Sequence, residues 1–317
     1  YIPASIYEVI CKLKENNKEL FELVGHLNQA KSLLNKSEEI YQLCTLNNTA
    51  GIEAISNNAY KDALHFFNYA ISLLPQDCWG INFDFTFQLY LAKAEAEYLN
   101  LNISEADKDI DSLLLKARNP IEKATLLERK LINYVSLGNY EKALKVSREC
   151  LALLGVRIPK TTVGKGLMAG YKLLKVRYLM RKVSPQDLVN LPEVSTQKDI
   201  LLGNVLSQTV SPAYFFDLLF YMVLILEMTD FSLKKGNSIS SPHAIISYAV
   251  LNNHIFQKYR YAEALGNAAL EISNNYHSAQ IRGKLAANLG GGMYHWTMPL
   301  RQVFSEFYDG YKFSIEG

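Results

Sequence analysis

One short pattern recurs along this chain and limits what it can become. A polar turn is followed by a bulky residue, two polar residues and an alanine. Asn57-Asn58-Ala59-Tyr60-Lys61-Asp62-Ala63-Leu64 and Leu137-Gly138-Asn139-Tyr140-Glu141-Lys142-Ala143-Leu144 are its clearest copies. Gln257-Lys258-Tyr259-Arg260-Tyr261-Ala262-Glu263-Ala264-Leu265 is a third, and Asn102-Ile103-Ser104-Glu105-Ala106 a weaker one. The pattern fits the turn into the second helix of a tetratricopeptide-type hairpin. A small alanine belongs where two helices cross closely, and the bulky residue fills the groove beside it. In the best copy Gly51, Ala63, Phe67, Ala70 and Pro75 occupy the five diagnostic positions. The spacing puts the repeat alanines at Ala63, Ala106, Ala143 and Ala264. Those intervals are too uneven for a strict repeat of about 34 residues.

The rest of the chain keeps helical period. Leu20, Leu23, Val24 and Leu27 form an i, i+3, i+4, i+7 stripe, and a second stripe covers Tyr41 to Ile55. Breakers recur at Pro75, Pro120, Gly138-Asn139, Gly155 with Pro159, Pro185, Pro192, Pro212, Gly236-Asn237 and Pro242. No alternating run suggests a strand, and Asp309-Gly310 lies within a helical pattern. The expected fold is all-α, a superhelix of degenerate tetratricopeptide-like hairpins. Residues 1–159 form its N-terminal repeats. Residues 160–317 continue the same superhelix, although 160–235 hold no clear copy of the pattern.

Composition narrows the function. Net charge is +2, with no basic excess of the kind a nucleic-acid surface shows. Cys11, Cys44, Cys78 and Cys150 are widely spaced without a CxxC pair, which predicts free buried or half-buried thiols in a reducing, cytoplasmic setting. The longest apolar run, Tyr214 to Met228, is interrupted by Asp217 and Glu227. Its clean part is well short of the ~18–20 residues a membrane span needs. A helix buried on most sides is expected there, with a partner-facing or membrane-facing helix as the alternative. The first residue is Tyr1, and the chain stops in mid-pattern at Ser314-Ile315-Glu316-Gly317, so a segment of a larger protein is expected.

Catalytic motifs find no home. Gly164-Lys165-Gly166 does not make a P-loop, because position 159 is Pro and position 166 is Gly, so a flexible loop with a solvated lysine is expected. His26, His65, His243, His254, His277 and His295 form no metal-binding spacing. Ser240-Ser241-Pro242 reads as a helix start, with Ser241 at the cap and Pro242 at the first helical position. Glu95 and Glu97, two apart, point to different sides of a helix and make no acid/base pair. Trp79 and Trp296 are expected as core residues packing hairpin joints, with contact points as the alternative. Most of the 20 tyrosines and 14 phenylalanines suit inter-helix packing, and some suit an interface.

Several stretches in order along the chain resemble one family. They are Leu20 to Asn28 with its His26-Leu27-Asn28, Leu46 to Ala54, Leu73 to Trp79, Ala94 to Leu99, and Leu151 to Pro159. Lys235 to Pro242, Tyr294 to Leu300 and Tyr311 to Gly317 complete the series. Together they are similar to the helical-repeat region of the large multi-sensor signal-transduction kinases of the predicted-ATPase type. Val24-Gly25 departs from that family's pattern. In such proteins a serine/threonine-kinase-like domain and a STAND-type P-loop ATPase precede the repeats, and a GAF sensor and histidine kinase commonly follow. The resemblance implies a non-catalytic arm that couples the ATPase to a sensor or output module by protein contacts. Its alternative is an arm that senses a small-molecule inducer. It implies no cofactor, no metal and no catalytic residue in this segment. Nucleic acid and a membrane span are not among the expected partners.

Overall fold

The computed structural model describes residues 17–276 and 279–316. Cys11 and His277 lie outside them. Sixteen α-helices run through the described residues, with no strand beyond one isolated bridge between Glu193 and Asn237. The all-α expectation holds. The chain divides into two compact units that part between Arg118 and Asn119. The division expected at 159/160 falls inside the second unit, in the loop before its third helix.

The first unit holds α1 (Asn17–Gln29), α2 (Ser37–Ser56), α3 (Tyr60–Ser72), the single turn α4 (Cys78–Ile81), α5 (Phe83–Leu99) and α6 (Ile103–Lys116). α2 pairs with α3, and α5 with α6. Val24, Leu43, Ala50, Ala54, Ala63, Phe67, Ala70 and Leu89 form its core. The diagnostic positions do what the pattern requires. Ala63, Phe67 and Ala70 are wholly buried. A β-carbon on Gly51 would stand 2.5 Å from the Phe67 ring, so the ring fills the space glycine leaves.

The second unit opens with α7 (Pro120–Ser136) and α8 (Tyr140–Leu153) as a hairpin. It continues through α9 (Thr162–Met180), the short α10 (Pro185–Val189), α11 (Gln197–Phe216) and α12 (Leu218–Lys235). It ends with the hairpins α13 (Ser241–Phe256) with α14 (Tyr259–Ser273), and α15 (Ala279–Gly292) with α16 (Leu300–Glu316). One of its core clusters joins Val176, Leu226, Ile246, Tyr248, Leu265, Ile272, Leu285 and Met293.

One backbone device closes four of the hairpins. Asn58, Leu101, Gly138 and Gln257 all adopt positive φ, between 53° and 68°. The first three are left-handed residues of Schellman turns. The amides of Ala59, Asn102 and Asn139 each reach back to Ala54, Glu97 and Tyr134 at 2.8 Å. Each left-handed residue lies five before a wholly buried alanine: Ala63, Ala106, Ala143 and Ala262. The fourth repeat alanine is therefore Ala262, not Ala264, which is only half-buried.

Residues 160–235 depart from a plain run of hairpins, although α11 and α12 still pack on each other. α9 packs on α12, which follows it by some forty residues, while α11 packs on both α7 and α8. Pro212 does not break α11 but sits inside it. Ser240, not Ser241, is the cap of α13. The Ser241 hydroxyl instead accepts from the Ser238 amide at 2.8 Å and pairs with the Ser232 hydroxyl at 2.6 Å. Gly236 has φ 110°, and a β-carbon there would meet the Pro192 carbonyl at 2.0 Å, so only glycine lets this bridge close.

Candidate functional site: an aromatic shelf in the second unit

The apolar run from Tyr214 to Met228 is not one helix. α11 ends at Phe216, Asp217 takes an extended conformation, and α12 starts at Leu218. Asp217 makes the break because its side chain accepts from the Phe220 amide at 3.0 Å and caps α12. Beyond the break the expected burial holds: Phe220, Val223, Leu224, Ile225, Leu226 and Met228 are all core. At the break itself the chain turns outward. Tyr214, Phe215, Phe216 and Leu218 are 56–66% exposed.

These rings order one another. Phe215 stacks on Tyr140 of α8 at 5.7 Å with 12° between planes, and Phe216 meets the same ring edge-on. Tyr214 is edge-on to Phe215 and to Tyr221, each at 5.3 Å. Such pairs contribute about 0.5–1.5 kcal/mol beyond their burial, enough to hold an exposed shelf in one arrangement. Behind the shelf lies an open cleft of about 590 Å³, lined by Tyr214, Phe215, Tyr221, His243, His254 and Asn288 with Gly291 and Gly292 as its backbone floor. Burial pushes the Tyr221 phenol up.

Ion pairs fasten the shelf from beneath. Lys165 donates to Asp217 at 2.5 Å and Arg148 donates to the same oxygen at 3.1 Å. Burial works to raise the Asp217 pKa. Hydrogen bonds from Lys165 and the Phe220 amide, with the Lys165 and Arg148 charges, outweigh it and hold the carboxyl below the usual range. Gly164-Lys165-Gly166 is thus not a loop, and its lysine is not solvated. It lies in the first turns of α9, with Lys165 buried.

The other candidate residues are dispersed. Cys44, Cys78 and Cys150 are buried free thiols, and burial pushes Cys44 and Cys150 up to about 12. Glu97 is buried under Lys93 and Asn102, at 3.5 and 2.7 Å, while Glu95 lies on another side of α5. Among the described residues no three His, Cys, Asp or Glu side chains are grouped to hold a metal. Trp79 stacks on Tyr90 at 5.4 Å within the first unit. Trp296 is not a core residue: it is 54% exposed, stacked on Tyr259 and edge-on to His254 at the margin of the cleft. The shelf was missed in the sequence because aspartate reads equally well as a polar position within a helix. The available signal was Asp217 standing three before Phe220, a cap spacing.

Fold and site together define a class: an all-α protein of tetratricopeptide-like hairpins, interrupted in its second unit by an out-of-order helix pair. No protein-family model, curated protein or solved structure matches the chain. No described helix is long and apolar enough to cross a membrane.

Proposed function

We propose that this chain is a non-catalytic interaction and coupling arm of a signalling protein of the multi-sensor kinase type. The observation that carries the reading is the ordered, exposed aromatic shelf of Tyr214, Phe215, Phe216 and Leu218. Exposed rings held rigid by their neighbours lose little entropy on docking and are enriched where proteins bind. Asp217 ties the shelf to α8 and α9 through Arg148 and Lys165, so load on the shelf passes into the helices behind it.

Calorimetry tests this. The whole chain is titrated with separately produced P-loop ATPase and output modules of the kind the resemblance names. Saturable binding is expected, weakened about tenfold or more by Phe215→Glu with Phe216→Glu, the size of effect a hot-spot pair produces. Absence of binding to every module sinks the coupling reading.

The cleft of about 590 Å³ favours a second reading, an inducer-sensing arm. Its volume lies within the range of small-molecule sites, and it offers histidine and asparagine side chains beside an aromatic wall. A metabolite panel that raises the melting temperature of the wild type, but not of Tyr214→Ala, supports it. A panel without any shift counts against it.

A further inference from the structure

α9 carries a buried face and, opposite it, an exposed apolar stripe. Lys165, Ala169, Lys172, Val176 and Met180 are buried, and Lys165 and Lys172 reach Asp217, Glu227 and Asp230 beneath. On the other side Val163, Leu167, Tyr171, Leu174 and Tyr178 are 57–74% exposed. At about 100° per residue this second stripe is centred roughly 180° from the buried face and extends about 22 Å. It covers nearly the whole helix, and neither α12 nor the core cluster uses it.

Charge is distributed to match. No acidic residue occurs between Glu149 and Asp187, while Arg157, Lys160, Lys165, Lys172, Lys175, Arg177, Arg181 and Lys182 all do. This lies in a chain whose net charge is only +2. With Lys165, Lys172 and Lys175 engaged by carboxylates, Arg177 flanks one edge of the stripe near its C-terminal end, and Arg181 and Lys182 follow at the cap and in the turn just past the helix. None of these three cations has a carboxylate partner within ion-pair distance among the described residues. At the end of the stripe Arg177, Arg181 and Lys258 line a hollow of about 350 Å³ over Tyr248 and Tyr261, with Ser184 and Asn252 as further polar groups. The Arg177 guanidinium is steadied 4.3 Å above the Phe256 ring. Arginine and lysine offer donors only, so whatever fills the hollow brings acceptors and negative charge.

We propose that this face of α9 docks on an anionic lipid bilayer. Leu167, Tyr171 and Leu174 enter the headgroup boundary, and Arg177, Arg181 and Lys258 receive a headgroup phosphate. The charge pattern selects this occupant over a partner protein helix, because cations without carboxylate partners gather on both sides of the C-terminal end of one continuous apolar stripe. That is the layout of a helix lying in the plane of a membrane surface. The helix does not span, in agreement with its length and its buried opposite face.

Co-sedimentation of the whole chain with vesicles tests the proposal. Vesicles of phosphatidylcholine with a third phosphatidylserine are compared with phosphatidylcholine alone. Binding to the anionic vesicles is expected, falling as salt is raised. Leu167→Glu with Leu174→Glu alters exposed positions only and should abolish it, with the helical circular dichroism unchanged. Arg181→Gln with Lys182→Gln should weaken it about fivefold for each charge removed. Glycerophosphoserine or inorganic phosphate at millimolar concentration should not displace the chain. Displacement by either would make the hollow a free-phosphate site and overturn the docking. Equal failure on both vesicles, or binding indifferent to the Leu167 and Leu174 changes, overturns it too. So does a vesicle-independent dimer in ultracentrifugation that the same two changes dissociate, which would make the stripe an interface between copies.

Discussion

Where glycine stands decides how closely the helices approach, and two glycines give opposite expectations. The Phe67 ring occupies the space a Gly51 β-carbon would need, so Gly51→Val should cost about 1–3 kcal/mol by overpacking. Gly166 has open space around it on α9, so Gly166→Ala should stabilise by about 0.5–1 kcal/mol through helix propensity. Urea midpoints moving in opposite directions would confirm both. The register correction has its own test: Ala262→Leu should destabilise more than Ala264→Leu, because only Ala262 is wholly buried at a helix crossing. Equal costs would return the repeat to the sequence spacing. That spacing misled because Tyr259, Arg260 and Tyr261 offer three large side chains in a row, and the bulky position is ambiguous among them. The left-handed Gln257 settles it, and a glutamine gives no hint of that conformation in advance.

Among the elements, the pairing of α9 with α12 rests on buried carboxylates. Asp230 is nearly inaccessible and accepts from Lys175 at 2.8 Å and Lys234 at 3.1 Å, with Lys172 at 3.4 Å. Burial pushes its pKa up, and the hydrogen bonds from Lys175 and Lys234, with the Lys172 and Lys234 charges, bring it below the usual range. Asp217 behaves alike. A carboxylate depressed in the fold stabilises it above the unfolded value, near 3.9, and that stabilisation is lost as pH falls through the folded value. Stability should therefore be flat near neutrality and decline below about pH 4. The Asp217→Asn, Asp230→Asn double variant should be weaker at pH 7 and less sensitive to acid. Denaturant melts at a series of pH values measure both slopes. Identical slopes would remove these carboxylates from the account.

These same elements mark where sequence reasoning stops. The hairpins are legible because a helix, a left-handed turn and a small residue are all local signals. The partner of Lys165 stands 52 residues away, and two flanking glycines disguise a helix as a loop. Pro212 likewise looks like a terminator, yet α11 continues through it, buried against α7 and α8.

For the molecule as a whole, each unit has a core of its own, one built around Phe67 and Leu89, the other around Tyr248 and Leu285. Residues 119–317 expressed alone should give a helical, cooperatively melting protein in circular dichroism. A molten, dye-binding fragment would mean that the second core depends on the first unit. Within that second unit, packing is not confined to sequence neighbours: α11 rests on α7 and α8 as well as on α12, and α12 rests on α9 as well. A run of plain hairpins can gain or shed a member by duplication or deletion, since each meets only the next. Removing 162–180 here would uncover one side of α12, leaving half-buried Glu227 without Lys172 and buried Asp230 with Lys234 alone, and removing 197–216 would strip cover from α7 and α8. A change of length is thus tolerated by packing at the plain hairpins and opposed by it between 162 and 235, where the helices must be kept or lost together.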